Sequence, residues 1–206
     1  MKLFGTPGSP YVRKARLALE EKRIPYEYVL APAETREATV VPLNPLGKIP
    51  VLQTDDGRGI YDSPVIVEYV DGLAAEPKLI PVTFADRIEV RRWEALGDGI
   101  AEATVLVNHD ARRKPERREP EAWYEKHRQK IRRGLDAMER ELGAQPFCFG
   151  TAFTLADIAC GYALGYLDQG LPEFDWRSNR PNLVRHYGKL MARESFRHTD
   201  PAAKRE

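Results

Sequence analysis

The chain has 206 residues, 42% of them hydrophobic, which is enough for one large domain or two small ones around a buried core and excludes a disordered reading. Its 32 basic and 31 acidic side chains leave a formal charge of +1, so no net field draws it to nucleic acid or to an anionic membrane, and small molecules or proteins are the expected partners. Two cysteines, Cys148 and Cys160, without C-x-x-C spacing exclude a disulfide scaffold; with no apolar run suited to a leader or a membrane helix, a reducing cytoplasm is the expected location.

Lys2 to Gly5 is a short apolar stretch closed by Gly5, Pro7 and Gly8, which predicts a strand entering a loop. From Pro10 to Lys22 the residues Tyr11, Val12, Ala15, Ala18 and Leu19 recur at helical spacing, with Arg13, Lys14, Arg16, Glu20 and Glu21 filling the other side. Pro25 breaks this helix, and Tyr26 to Leu30 carries the aromatic and β-branched bias of a strand. Strand, helix and strand in so short a span predict a parallel pair with a right-handed crossover.

Ala31 to Leu46, rich in proline and threonine, is expected to be an irregular helix or loop. Ile49–Thr54 and Gly59–Tyr61 flank Asp55-Asp56-Gly57, a turn signal that predicts a hairpin. Ser63-Pro64 marks the next helix start, with Val65, Ile66, Tyr69 and Val70 as its expected buried face. Ala74-Ala75-Glu76-Pro77 and Pro81 read as a linker, which sets the expected domains at 1–75 and 83–206. Beyond it strand signals stop: Ala85–Val107, Glu121–Leu142, Leu155–Leu167 and Leu183–Arg193 show helical periodicity, and the tail from Thr199 to Glu206 is polar and expected to fray.

Ser9 before Pro10 has an ordinary explanation, because serine is a favoured N-cap and proline a favoured first helical residue. Yet this helix follows the first strand of an α/β unit, at the edge where such sheets collect ligands, and its exposed amides and dipole favour an anion. The loop Gly5 to Ser9 lacks both G-x-G-x-x-G and G-x-x-x-x-G-K-[ST] spacing, which argues against a nucleotide. Pro50 at a strand start marks a turn in either isomer, trans being the commoner. A cis bond there would turn the Ile49 backbone toward an extended peptide ligand. Asp62-Ser63-Pro64 places a carboxylate and a hydroxyl at a helix start, where capping explains either alone and the pair together suits an α-amino-acid end. His109, His127, His186 and His198 show no paired metal-ligand spacing, no G-x-S-x-G elbow surrounds Ser9, and Cys148 and Cys160 read as small buried side chains, so neither a metal centre nor a serine hydrolase is expected.

Taken together, Ser9-Pro10-Tyr11-Val12-Arg13-Lys14, the stretch Asn44 to Leu52 and Asp62-Ser63-Pro64-Val65-Ile66 resemble the cytosolic glutathione transferases, in the bacterial branch with serine at the first helix. The resemblance covers nearly the whole chain and implies an α/β thioredoxin-like N-terminal domain followed by an all-α helical domain. It implies that Ser9 hydrogen-bonds the glutathione sulfur, that Pro50 is cis, and that Ile49 meets the cysteinyl backbone. Lys48 would approach the glycyl carboxylate, and Asp62 with Ser63 would grip the γ-glutamyl end, aspartate standing where many members carry glutamate. Thr154 and Asp157 resemble that family's capping box, read as structural. The implied activity is attack of a glutathione thiolate on a small electrophile in a cytoplasmic homodimer, with glutathione as co-substrate and no metal. Tyr11, Val107 and Trp176 are conceivable walls for the electrophile. The alternatives are a glutathione-dependent disulfide reductase or peroxidase, disfavoured because residue 9 is not cysteine, and a non-enzymatic adaptor of the same fold.

Overall fold

The computed structural model describes residues 1–202; positions 203–206, the end of the expected polar tail and of the expected second domain, lie outside the described residues. The described chain divides into two compact units, Pro81–Met191 forming one and Met1–Ile80 with residues 192–202 forming the other.

In the first unit a four-stranded sheet runs in the order β2-β1-β3-β4, with β1 at Lys2–Gly5, β2 at Glu27–Leu30, β3 at Val51–Gln53 and β4 at Gly59–Ile60. β1 pairs parallel with β2, as the strand-helix-strand pattern predicts, and antiparallel with β3, while β3 and β4 form the hairpin around Asp55-Asp56-Gly57. The proline- and threonine-rich connection carries a 3-10 turn, Ala33–Thr35, and one short helix, α2 at Arg36–Thr39.

Helix α1, Pro10–Glu21, starts at the Ser9 cap with proline at its first position and is followed by Arg23 in the left-handed region and by Pro25. The side of α1 expected to face water is in part covered: Arg13 and Lys14 are buried, and the Arg13 Nη2 donates to the Phe196 carbonyl at 3.3 Å. Its neighbours are α3, Ser63–Leu73, and α8, Glu194–His198. The segment 192–202 is therefore grouped with the first unit. Arg193 clamps Glu21 through two nitrogens at 2.8 and 2.6 Å, Ser195 donates to the same carboxylate, and Thr199 is buried with its hydroxyl donating to the Ser195 carbonyl.

The second unit is helical: α4 at Phe84–Ala111, α5 at Glu121–Leu142, α6 at Leu155–Gly170 and α7 at Pro181–Met191. Helix α6 is buried on nearly every face because α4 and α7 pack around it, so its sequence is apolar all round. Gly97 makes the α4 contact close, since a Cβ there would lie 2.7 Å from the Ala159 carbonyl oxygen. The α6 start carries the capping box read from sequence: the Thr154 amide donates to Asp157 Oδ2 at 2.8 Å, and the Ala156 amide donates to the Thr154 hydroxyl at 3.3 Å. Among the described residues no helix is long and apolar enough to cross a membrane.

Candidate functional site

Strand register brings the sequence-predicted residues to one edge of the first unit. Phe4 lies opposite Val51 and Leu52 opposite Ile60, so the end of β1, the start of β3 and the end of β4 share an edge. Ser9 follows β1, Lys48-Ile49-Pro50 precedes β3, and Asp62-Ser63 follows β4. Phe4, Ala31, Val40 and Val51 form an apolar cluster against which Ile49 and Tyr61 pack, which fixes the chain on both sides of this edge. Gly5 permits the tight entry into α1, because a Cβ there would fall 2.6 Å from the Val12 methyls.

Ser9 is half-buried in extended backbone, and its Oγ accepts the Val12 amide at 3.4 Å. Capping engages an oxygen lone pair and leaves the hydroxyl proton available to a second acceptor. The two roles weighed for Ser9 from sequence, cap and donor, therefore use different atoms of one hydroxyl.

Lys48 is exposed just after a turn held by Asn44, a residue to which sequence reasoning gave no role of its own. The buried Asn44 amide donates through Nδ2 to the Lys48 carbonyl at 2.9 Å and accepts the Leu46 amide on Oδ1 at 3.1 Å. Gly47, at φ +62°, completes the turn, and the Ile49–Pro50 peptide that follows is cis. The signal was present as Asn-Pro-x-Gly, since asparagine closes turns through its side chain and glycine accepts positive φ.

Asp62 occupies the N-cap of α3 in extended backbone, yet its carboxylate makes no capping bond; its carbonyl accepts the Ile66 amide at 2.9 Å. Capping thus does not account for this exposed carboxylate. Ser63 beside it is buried. One edge of the sheet accordingly carries the starts of two helices, an ammonium at Lys48 and a carboxylate at Asp62.

Tyr11 is half-buried in the first turn of α1. Val107 and Trp176 belong to the helical unit and are buried there, and the Trp176 indole donates to Asp168 at 2.8 Å and meets the Tyr187 ring edge-on at 5.4 Å. Both side chains are packed in the interior of that unit. In the same unit burial pushes the Cys148 thiol well above its ordinary range, with Cys160 and Asp157 adding to the shift. A thiol so placed is a poor nucleophile.

Residues 3–78 match the glutathione S-transferase N-terminal domain model and residues 121–189 the C-terminal domain model. The uncharacterized GST-like protein YibF of Escherichia coli is 38% identical over 98% of both chains. A glutathione S-transferase of Methylobacillus flagellatus, solved with GSH bound, superposes with a TM-score of 0.93 at 44% identity, covering 98% of this chain and 99% of its own. Another, from Methylobacterium radiotolerans in complex with glutathione sulfonate, gives a TM-score of 0.91 at 38% identity, with 100% and 96% covered. With motifs, sheet order and whole-length likeness in agreement, the chain belongs to the glutathione S-transferase family.

Proposed function

We propose that this protein is a glutathione transferase that binds glutathione along the sheet edge formed by Ser9, Lys48, Ile49, Pro50, Asp62 and Ser63. The observation that carries the reading is the Ser9 hydroxyl, whose capping bond to Val12 leaves its proton free for a sulfur anion at the start of α1. Glutathione offers a thiol, two carboxylates and one ammonium. The Asp62 carboxylate, without a capping bond, complements the ammonium, while Lys48 and the two helix starts complement the carboxylates. The glutathione-bound relatives of similar sequence and length support the same ligand here.

A free thiol of pKa about 8.5 is only slightly ionised at neutral pH. One charge-assisted hydrogen bond of about 1.5–3 kcal/mol lowers that pKa by roughly 1–2, which makes a large fraction reactive. The thiol proton leaves to solvent, the sulfur forms a bond to the electrophilic carbon, and the displaced group departs with its electron pair. We extend the proposal to a cytoplasmic homodimer, checked by sedimentation at micromolar protein.

Calorimetric titration with glutathione, joined to ultraviolet titration of the bound thiolate, tests the site. Binding with a depressed thiol pKa that returns toward the free value in Ser9→Ala is the expected result. No heat at millimolar glutathione would remove the enzymatic reading and leave the adaptor.

A further inference from the structure

The helical unit brings together four side chains that the glutathione site does not use. Cys148 lies in the loop after α5, Asp157 and Cys160 are three residues apart on α6, and His186 is on α7. All four are buried, as are Leu155, Ile158 and Ala159 on the same helix, α6. The Cys148 Sγ lies 3.4 Å from the His186 Nε2, and the two sulfurs and that nitrogen all fall within 4.8 Å of one another. The same Nε2 lies 3.0 Å from Asp157 Oδ1.

These separations are those of a coordination shell. A tetrahedral zinc ion with bonds of about 2.3 Å to sulfur and about 2.0 Å to nitrogen or oxygen places sulfur and nitrogen about 3.5 Å apart, two sulfurs about 3.8 Å and nitrogen and oxygen about 3.3 Å. The Cys148–His186 edge at 3.4 Å and the His186–Asp157 edge at 3.0 Å need to open by only a few tenths of an ångström, and the Cys160 sulfur, within 4.8 Å of the other sulfur and the nitrogen, would move in by up to about 1 Å. Asp157 is already oriented as a ligand would be: Oδ2 accepts the Thr154 amide and Oδ1 the Cys148 amide, both at 2.8 Å, which leaves Oδ1 a further lone pair. Cys148 also lines a surface groove of about 380 Å³, with Glu89, Glu141 and Phe149, so one member of the cluster borders the surface.

We propose that Cys148, Cys160 and His186, completed by Asp157, form a site for one thiophilic divalent ion, with zinc as the best fit of size, donor softness and geometry. On binding, each thiol gives its proton to solvent, and the ion takes the place of the Nε2 proton while the imidazole stays neutral by carrying its proton on Nδ1. Two thiolates and one carboxylate against a divalent ion leave a single negative charge, which the Thr154 and Cys148 amides already face. The ion would tie the α5–α6 loop, the start of α6 and α7 together and stabilise the folded form by mass action.

The test uses the full chain, reduced, stripped with a chelator and desalted, then titrated with cobalt(II). One equivalent is expected to produce thiolate-to-cobalt charge-transfer bands with the strong visible bands of tetrahedral cobalt, and zinc is expected to bleach them. At a free zinc concentration ten times its dissociation constant, thiol modification should slow about tenfold, because the ion holds the closed form. Cys148→Ala and Cys160→Ala should each remove the charge-transfer bands, whereas His198→Ala should keep them. X-ray absorption at the zinc edge on the unaltered protein should show two sulfurs in the first shell, a reading that needs no variant to fold. Absence of the bands, their persistence in both cysteine variants, a first shell of nitrogen and oxygen only, or conversion of the two thiols to a disulfide without bound metal would each overturn the proposal.

Discussion

The Lys22 ammonium and the Asp71 carboxylate meet at 3.2 Å with both side chains out of water, joining the end of α1 to the end of α3. Lys22 also donates to the carbonyls of Asp71, Ala74 and Pro77, and Asp71 accepts the Leu79 and Ile80 amides and a second ammonium from Lys78. The carboxylate is thus the hub that folds the segment after α3 back onto the unit. Asp71→Ala leaves a buried ammonium without its anion and two amides without acceptors, and is expected to cost about 3–5 kcal/mol. Lys22→Met leaves Asp71 with Lys78 and both amides and should cost less. Urea unfolding of the two variants checks the order, and a larger loss for Lys22→Met would show that the ammonium is the hub.

That pair also marks where sequence reading ends. The parallel β1–β2 pair, the hairpin and the four long helices were legible because periodicity and turn chemistry are local. The place of the last helix was not: Arg193 and Glu21 are 172 residues apart, and such an ion pair leaves no periodic trace. Arg13 and Lys14 read as a solvated side of α1 for the same reason, since charge predicts exposure unless a distant segment covers it. The site motifs were legible as three short stretches, but the role of Asn44 lay in its side-chain bonds to backbone. Val107 and Trp176 could not be sorted into wall or core, because an apolar side chain suits both. Cys148 and His186 lie 38 residues apart, which is why a search for paired spacing passed them over.

Asn44 and Lys48 should separate shape from charge at the proposed ligand edge. Asn44→Ala removes two side-chain bonds from a buried turn and is expected to lower stability by about 1–3 kcal/mol and weaken glutathione binding although Lys48 is intact. Lys48→Ala touches an exposed side chain and should change stability by no more than about 0.5 kcal/mol. Its expected effect is a several-fold weaker affinity with a flatter dependence on salt, because one screened charge contact is gone. Calorimetry at two ionic strengths distinguishes the two variants. Equal salt dependence in Lys48→Ala and the unaltered protein would place the glycyl carboxylate elsewhere.

Tyr26 gives the first unit a limit at high pH. Burial pushes its phenol up to about 12, with the Glu20 carboxylate adding to the effect and Arg16 opposing it. The hydroxyl donates to Glu20 at 3.0 Å and accepts from Arg16 Nε at 3.2 Å. Below the ordinary tyrosine pKa of 10 the folded and unfolded chains both hold the proton, so Tyr26 makes no pH-dependent difference. As pH rises from 10 to about 12 the unfolded chain releases that proton while the folded chain retains it, and about 2–3 kcal/mol of stability is lost. Tyr26→Phe should flatten this part of the stability profile. Ultraviolet titration should show one fewer late-ionising tyrosine in the variant than in the unaltered protein, with Tyr124, raised by its bond to Asp110, late in both.

The two uses of the Ser9 hydroxyl can be pulled apart by replacing it with a side chain that keeps only one. Ser9→Ala loses both, with a helix-cap cost at the low end of about 0.5–2 kcal/mol because the bond to the Val12 amide is long. Aspartate caps as well as serine and is favoured by the dipole at the start of α1, so Ser9→Asp should unfold at the same urea concentration as the unaltered protein or higher. Its ionised carboxylate has no proton to donate and sets a negative charge beside the proposed thiolate. Bound glutathione should then keep a thiol pKa at or above that of the free tripeptide, and conjugation should fall by about tenfold to a hundredfold, the loss of one charge-assisted hydrogen bond. Stability retained with activity lost identifies the hydroxyl proton as the working part of Ser9. Activity retained in Ser9→Asp would mean that the α1 amides hold the sulfur without it.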